Sequence, residues 1–225
     1  MGVLVVSDIH NDVENIISYI DKISMLQFDV VVCPGDFSDY TFPKGFVNLD
    51  ITKLVLENLK TLGKPIVAVP GNWDKDVIEF LEKAGVSVHG RGKIIGGVGF
   101  YGYGGAHTPF STPLEPTEDE LKHGLDAAYK DVERCETTVL VTHIPPARTR
   151  LDIVSTGAHV GSEVVRKFIE DKQPAAAICA HVHEAKGTDE IKNTKLINAG
   201  RFPEGHCGII SINGKDVEVK LVNLI

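Results

Sequence analysis

Short runs of β-branched residues alternate along this chain with stretches in which apolar residues recur every three or four positions. The runs at 3–6, 29–33, 65–69, 137–142 and 175–180 have the length and composition of buried strands. Between the first two, Ile16, Ile20, Ile23 and Leu26 recur at helical spacing within 12–26. Leu54, Leu56, Leu59 and Leu62 predict a second helix, and Val77, Phe80, Leu81 and Ala84 a third that stops at Gly85. Thr117 with Glu120 three residues on has the form of a capping box, opening a helix to about Arg134. A further helix runs from Gly161 to about Asp171, and 194–199, 207–212 and 216–222 read as strands, the last two joined by an Asn213-Gly214 turn. This alternation is that of an α/β protein. With no internal repeat and no break in composition, the 225 residues are expected to form one domain, 1–225.

Glycine and proline place the irregular segments. Gly97-Val98-Gly99-Phe100-Tyr101-Gly102 matches the spacing of a dinucleotide-binding loop, but Tyr103-Gly104-Gly105 follows where a helix should open. Short strands joined by tight turns suit 85–105 better. Pro109, Pro113 and Pro116 make 104–116 a surface loop, and a second long loop runs from 144 to about 159. Long irregular segments in compact domains are usually functional, so these two are expected to rim a substrate cleft. His107 and His159 lie on them and are candidate proton donors.

Charge and cysteine usage narrow the class. Lys and Arg total 23 against 31 Asp and Glu, a net charge of −8, which lacks the basic footprint that nucleic-acid binding requires. No apolar run reaches the ~18 residues of a membrane span. The first apolar run, Val3 to Val6, ends at Ser7-Asp8-Ile9-His10, too short for a signal peptide, and Val6 stands where a myristoylation motif needs Ser or Thr. Cys33, Cys135, Cys179 and Cys207 form no C-x-x-C pair and suit reduced thiols, so a cytoplasmic location is expected.

What ends each strand carries the chemistry. The first run leads into Asp8-x-His10, the second into Pro34-Gly35-Asp36, the third into Pro70-Gly71-Asn72, the fourth into His143, and the fifth into Ala180-His181-Val182-His183. Ligands of α/β sheets gather outside the carboxyl ends of strands. Each of these residues alone would be an ordinary turn or cap, but independent turns have no reason to place such side chains at five strand ends. Seven candidate ligands are too many for one transition metal and suit two metals sharing Asp36. Imidazole and carboxylate without thiolate favour Mn, Fe, Zn, Co or Ni, with Mn first among them. Two divalent ions against Asp8, Asp36 and a bridging hydroxide leave the site positive toward phosphate.

These residues resemble the calcineurin-like metallophosphoesterases. The family's ordered signature, D-x-H, G-D, G-N-[HCWF]-[DE], H and G-H-x-H, is matched by Asp8/His10, Gly35-Asp36, Gly71-Asn72-Trp73-Asp74, His143 and Ala180-His181-Val182-His183. Gly104-Gly105 before Pro109-Phe110, His143-Ile144-Pro145-Pro146 and His181-Val182-His183-Glu184 are similar to the Icc-related predicted phosphoesterase branch. The resemblance implies a four-layer α/β/β/α sandwich of two mixed β-sheets. It implies one metal on Asp8, His10, Asp36 and His183, and another on Asp36, Asn72, His143 and His181. It further implies a hydrolase in which a metal-bridging hydroxide attacks a small phosphate ester, with Asp36, Asn72 and His143 at the reaction centre.

Two positions depart from the pattern. Ala180 replaces the usual Gly, a small change. Trp73 stands where many members carry a His that protonates the leaving group, and an indole cannot transfer that proton. Asp74, the usual partner of that His, is left as a supporting residue. A phosphodiester, or an ester with a good leaving group, is therefore favoured over a phosphomonoester. The alternative of a different class is a non-catalytic metal-binding scaffold of the same fold, which predicts a broken ligand set.

Overall fold

The computed structural model describes residues 1–214 and 216–225. In chain order the elements are β1 Gly2–Val5, α1 Val13–Ser24, β2 Val30–Cys33, α2 Asn48–Lys60, β3 Ile66–Ala68, α3 Ile78–Lys83, β4 Arg91–Ile95 and β5 Val98–Tyr103. There follow α4 Glu118–Lys130, β6 Thr137–Thr142, α5 Glu163–Lys172, β7 Ala176–Cys179, β8 Gly187–Ile191, β9 Thr194–Asn198, β10 His206–Asn213 and β11 Asp216–Asn223.

The strands form two mixed sheets, β11-β10-β1-β2-β3 and β4-β5-β6-β7-β9-β8. β1, β2 and β3 run parallel, as do β5, β6, β7 and β9, while β10, β11, β4 and β8 pair antiparallel, and β11, β4 and β8 form every edge except β3. Side-chain alternation decides the layers. Val3, Val5, Val30, Val32 and Val67 point between the sheets against Phe100, Val139, Val141 and Ile178. Their neighbours Leu4, Val31, Cys33 and Ile66 point the other way, onto Ile16, Ile23, Val55 and Leu59 of α1 and α2. On the second sheet, Tyr101, Leu140 and Ala177 pack on Leu121 and Leu125 of α4 and Ile169 of α5. The result is the expected helix–sheet–sheet–helix sandwich. Each fully buried valine or leucine contributes ~1.5–3 kcal/mol relative to exposure, which is why central strands apolar on both faces are favoured here.

Local signals explain most element ends. The Asp12 side chain accepts from the Asn15 N–H and caps α1, and the Thr117–Glu120 capping box forms at α4. Four expectations shift. α4 stops at Lys130 rather than Arg134, and the Asp131 carboxylate beyond it accepts from Gly92 N–H at 2.8 Å. α2 starts earlier than its leucines suggested, and its buried stripe is Ile51, Thr52, Val55, Leu56 and Leu59, leaving Leu54 off the stripe. β8 was not foreseen, because Gly-Thr-Asp-Glu-Ile has no apolar alternation and forms a sheet edge. Asn213 pairs with Asp216 and so closes the β10–β11 ladder instead of forming the turn itself.

Candidate metal centre

The carboxyl ends of β1, β2 and β3 in one sheet and of β6 and β7 in the other meet at one end of the sandwich. Their loops are tied together by backbone bonds. Ile9 and His10 N–H donate to the Asp36 carbonyl at 2.8 and 3.1 Å, Asn11 N–H donates to Phe37 O at 3.1 Å, and Ala180 N–H donates to His143 O at 2.9 Å. The chain bends sharply to achieve this. Asp8, His10, Asp36 and His181 all have positive φ, at 51°, 47°, 54° and 73°. Gly35 (φ 108°) and Gly71 lie back to back, and a Cβ on Gly71 would overlap Asp36 Oδ1. Only glycine lets the second and third loops approach so closely.

Asp36 stands in the middle. Its Oδ1 accepts from Trp73 N–H at 3.2 Å. Its Oδ2 lies 3.3 Å from His143 Nε2 and 3.8 Å from His10 Nε2. One carboxylate oxygen is thus anchored, and the other faces both halves of the cluster. Asp8, His10 and His183 converge as one group, and Asp36, His143 and His181 as a second, with ligand atoms within 4.8 Å of one another in each. Asn72 joins the second group, its Oδ1 3.0 Å from His143 Nε2. The structure therefore brings together all seven residues singled out in the sequence.

Several features of the cluster are those of a cation site. His143 Nδ1 lies 2.8 Å from the Pro34 carbonyl, which can only accept, so Nε2 is the atom turned to the centre. Likewise His181 Nε2 lies 3.3 Å from the His107 carbonyl, which leaves Nδ1 with the lone pair. His10 Nε2 and His183 Nε2 face each other at 3.1 Å. Asp8 Oδ2 and His10 Nδ1 are buried without a hydrogen-bond partner, and orphaned buried polar atoms are costly unless something else satisfies them. The donor set is nitrogen and oxygen with no sulfur, which suits the middle transition metals.

The electrostatics of the cluster point the same way. Burial disfavours the charged form of Asp36 and Asp8, yet His143 holds Asp36 below the usual carboxylate range, and the His183 hydrogen bond with the other imidazoles does the same for Asp8. Burial also opposes the imidazolium of His143, but the Asp36 carboxylate overrides it and pushes His143 up to about 9. Burial, reinforced by His143, pushes His181 down to about 4.

Asp74 is a brace. Its Oδ2 accepts from Gly71 N–H at 2.8 Å and Phe37 N–H at 3.2 Å, tying the second and third loops together behind Asp36. Burial and the nearby Asp36 push it up to about 7. Trp73 lines the open side of the cluster with its ring 5.7 Å from that of Tyr40.

The two loop histidines stand elsewhere. The imidazole of His107 binds the Pro116 carbonyl, and only its own carbonyl reaches the cluster. His159 Nδ1 binds buried Asp152 Oδ1 at 2.8 Å. Asp152 also accepts from the N–H groups of Arg148, Thr149 and Gly161, so it is the hub that folds the second loop. Of the two loops expected to rim the cleft, the first does so through Thr108, Phe110 and Thr112, whereas 144–160 contributes no lining residue among those described. A proton-donor role for His107 or His159 is not what their partners support.

The open side of the cluster is a cleft of about 490 Å³. Besides the ligands it is lined by Asp39, Tyr40, Trp73, Arg201 and the three residues of the first loop. A larger hollow, about 650 Å³ beside Met1, Gln27 and Asn213, holds none of the seven ligand candidates. Tyr40 and Arg201 went unnoticed in the sequence. The strand-end rule applied to Leu196-Ile197-Asn198-Ala199-Gly200-Arg201 would have found Arg201, whereas Tyr40 lies in a segment without periodicity.

Comparison with known proteins follows the same line. The sequence profile of the calcineurin-like phosphoesterases matches residues 1–185. An uncharacterized protein of Methanocaldococcus jannaschii is 37% identical over 178 residues, covering 76% of each chain. The fold is similar to that of the crystal structure of TT1561 from Thermus thermophilus, with a TM-score of 0.74 at 18% identity over 100% of this chain and 99% of that one. It is also similar to that of a dimetal phosphatase from Danio rerio, with a TM-score of 0.70 at 10% identity over 100% and 96% of the two chains.

Proposed function

The chain belongs to the calcineurin-like phosphoesterases, and from that premise we propose that it hydrolyses small phosphate esters, diesters before monoesters, using two divalent transition-metal ions. The observation that carries this reading is Asp36 Oδ2, which faces His143 on one side and His10 on the other while its partner oxygen is fixed by Trp73 N–H. Asp8, His10, Asp36 and His183 would hold one ion, and Asp36, Asn72, His143 and His181 the other, with Mn the first to test. Two such cations supply Lewis acidity that neutralises phosphoryl charge and acidifies water.

The chain's own residues do the rest. Pro34 O fixes the His143 ring and Asp74 fixes the loop that carries Asp36, so the side chains that would hold the metals are ordered before any substrate arrives. Such preorganisation removes the reorganisation cost from the reaction itself. Trp73 can donate one hydrogen bond but no proton. Among the described residues, every histidine that lines the cleft belongs to the ligand set. Esters whose leaving groups need little protonation are thereby favoured, which is the basis for placing aryl and diester substrates first. The reading takes 1–225 as one catalytic domain, since β10 and β11 complete one sheet and β8 and β9 the other.

The test is reconstitution with Mn followed by assays on bis(p-nitrophenyl) phosphate and p-nitrophenyl phosphate. Turnover of the diester that Asp36→Asn abolishes is expected. Two bound metals with no turnover of either ester would favour the scaffold alternative, and a faster monoester reaction would reverse the substrate order.

A further inference from the structure

We propose that the cleft selects phosphate esters bearing a planar aromatic ring, of the nucleobase or aryl kind, with Tyr40, Trp73 and Phe110 receiving the ring and Arg201 receiving phosphate oxygens. The inference rests on the phosphoesterase reading of the metal centre and adds the substrate class.

Three aromatic side chains gather beside the metal ligands. Tyr40 is 69% and Phe110 82% exposed, while Trp73 is half-buried. Exposed aromatics scattered singly carry no message, but three on one cleft that also holds the chemistry form an apolar patch that a ligand can cover. Tyr40 and Trp73 lie 5.7 Å apart and tilted by 43°, so they are not stacked face to face on each other. Aromatic faces accept any planar π-system with little demand on its edges, which suits stacking better than hydroxyl-rich sugars or flexible alkyl chains. Thr108 and Thr112 offer hydroxyl groups in the same wall, but both are occupied by the Glu115 carboxylate at 2.6 and 2.8 Å. The organic part of the substrate therefore meets mainly rings.

Arg201 supplies the second half. Its Nε is buried and has no hydrogen-bond partner. Its ion pair with Glu204 is 3.7 Å long and lies outside hydrogen-bond distance. A partly buried guanidinium held only by one long ion pair keeps hydrogen-bond donors free for a ligand. Its planar fork matches phosphate oxygens, and it enters the cleft that carries Asp36, His10 and His183.

The chain contains one tryptophan, Trp73, so its emission reports directly on the proposed ring site. The experiment titrates Mn-reconstituted protein with pairs of ligands that share a head group and differ in the ring: phenylphosphonate against methylphosphonate, and adenosine 5′-monophosphate against ribose 5-phosphate. The ring-bearing member of each pair is expected to bind about tenfold tighter and to quench Trp73, in keeping with the worth of one stacked ring. Tyr40→Ala and Phe110→Ala, both at exposed positions, should remove most of that advantage and leave methylphosphonate affinity unchanged. Arg201→Gln should weaken all four ligands by a similar factor while metal content stays constant. Preference for the nucleotide pair alone would assign the ring to a nucleobase, and preference for the phenyl pair alone to an aryl group. Equal affinities within both pairs, or an Arg201→Gln variant that binds all four normally, would overturn the proposal. Ring preference without ester turnover would instead sink the hydrolase reading and leave the binding preference standing.

Discussion

His89 should make the wall of the cleft sensitive to mild acid. It sits just before β4, its ring stacked on Tyr103 at 4.1 Å, and its Nδ1 accepts the Gly104 N–H at 2.9 Å. Gly104 begins the loop that carries Thr108, Phe110 and Thr112, and Gly105 N–H donates to Pro70 O two residues before Asn72. Burial, with a smaller contribution from the Arg91 charge, pushes His89 down to about 4. Protonating Nδ1 would set a second N–H against that of Gly104. Between the unfolded value near ~6.5 and the folded value, the unfolded chain binds more protons, so stability rises with pH across this window. From His89 alone the fold loses about 2 kcal/mol between pH 7 and pH 5, and about 3 kcal/mol once pH falls below ~4. His89→Asn keeps an acceptor near the Nδ1 position and removes the titration. The assay is thermal unfolding of both proteins from pH 8 to pH 5, read as the difference between them, in which the titrations of the metal-site residues cancel. Wild type should be the more stable at pH 8 through its ring contact, and its lead should shrink by about 4–8 °C at pH 5 for a chain of this size. Parallel profiles across the range would refute the role given to His89.

Elemental analysis after Mn reconstitution should find two metals per wild-type chain, fewer than one in Asp36→Asn, and close to one in His10→Ala; equal losses in the two variants would contradict a shared Asp36. Gly71→Ala should lower metal affinity at least ~10-fold, the scale of disturbing a residue that orients a ligand, because its Cβ overlaps Asp36 Oδ1. Unchanged titration curves would show that the two loops can part without cost. Cys33, Cys179 and Cys207 are buried with thiols pushed up by burial, and Cys135 is partly exposed. A thiol reagent should therefore label one cysteine in native protein and four after denaturation, and fast labelling of two or more would show that the sheets open.

The α/β class and the seven clustered side chains were legible for one reason, since both are written in strands that are apolar on two faces and end abruptly in polar residues, whereas the stacking of two sheets into a sandwich was implied only by the family resemblance. Val30 to Cys33 followed by Pro-Gly-Asp states its own boundary. What was not legible has a physical cause in each case. β8 is held by β9 across an exposed edge, so its residues answer to backbone pairing rather than burial. The stripe of α2 was misjudged because leucine at 54 looked as apolar as valine at 55, and only the angle of the helix on the sheet decides between them. His107 and His159 drew attention as ionisable residues on long loops. Each in fact satisfies its own loop, His107 on Pro116 O and His159 on Asp152. A loop's need to pair its buried polar groups competes with any functional use of the same side chain.

The same accounting, applied to the metal centre, explains why its backbone is bent. Of the nine non-glycine residues with positive φ among those described, four are ligand candidates, Asp8, His10, Asp36 and His181, and Asn11 is their neighbour. Such conformations cost about 1 kcal/mol or more apiece and persist only where the surroundings impose them. Here the imposing contacts are the bonds from Ile9, His10 and Asn11 to the Asp36 and Phe37 carbonyls, from Asp8 N–H to Gly35 O, and from His181 N–H to Asp8 Oδ1. They turn each ligand-bearing residue out of its strand direction and toward one point. An extended backbone would send Asp8 and Ile9 to opposite faces and leave His10 pointing along with Asp8 into a packed layer. The bend instead turns Asp8 and His10 together toward the cluster, where both stay largely buried, while apolar Ile9 packs with the core between the first sheet and its helices. Burial of Ile9 and the cross-loop hydrogen bonds thus offset the backbone strain. The geometry of the candidate ligands is consequently a property of the folded chain itself.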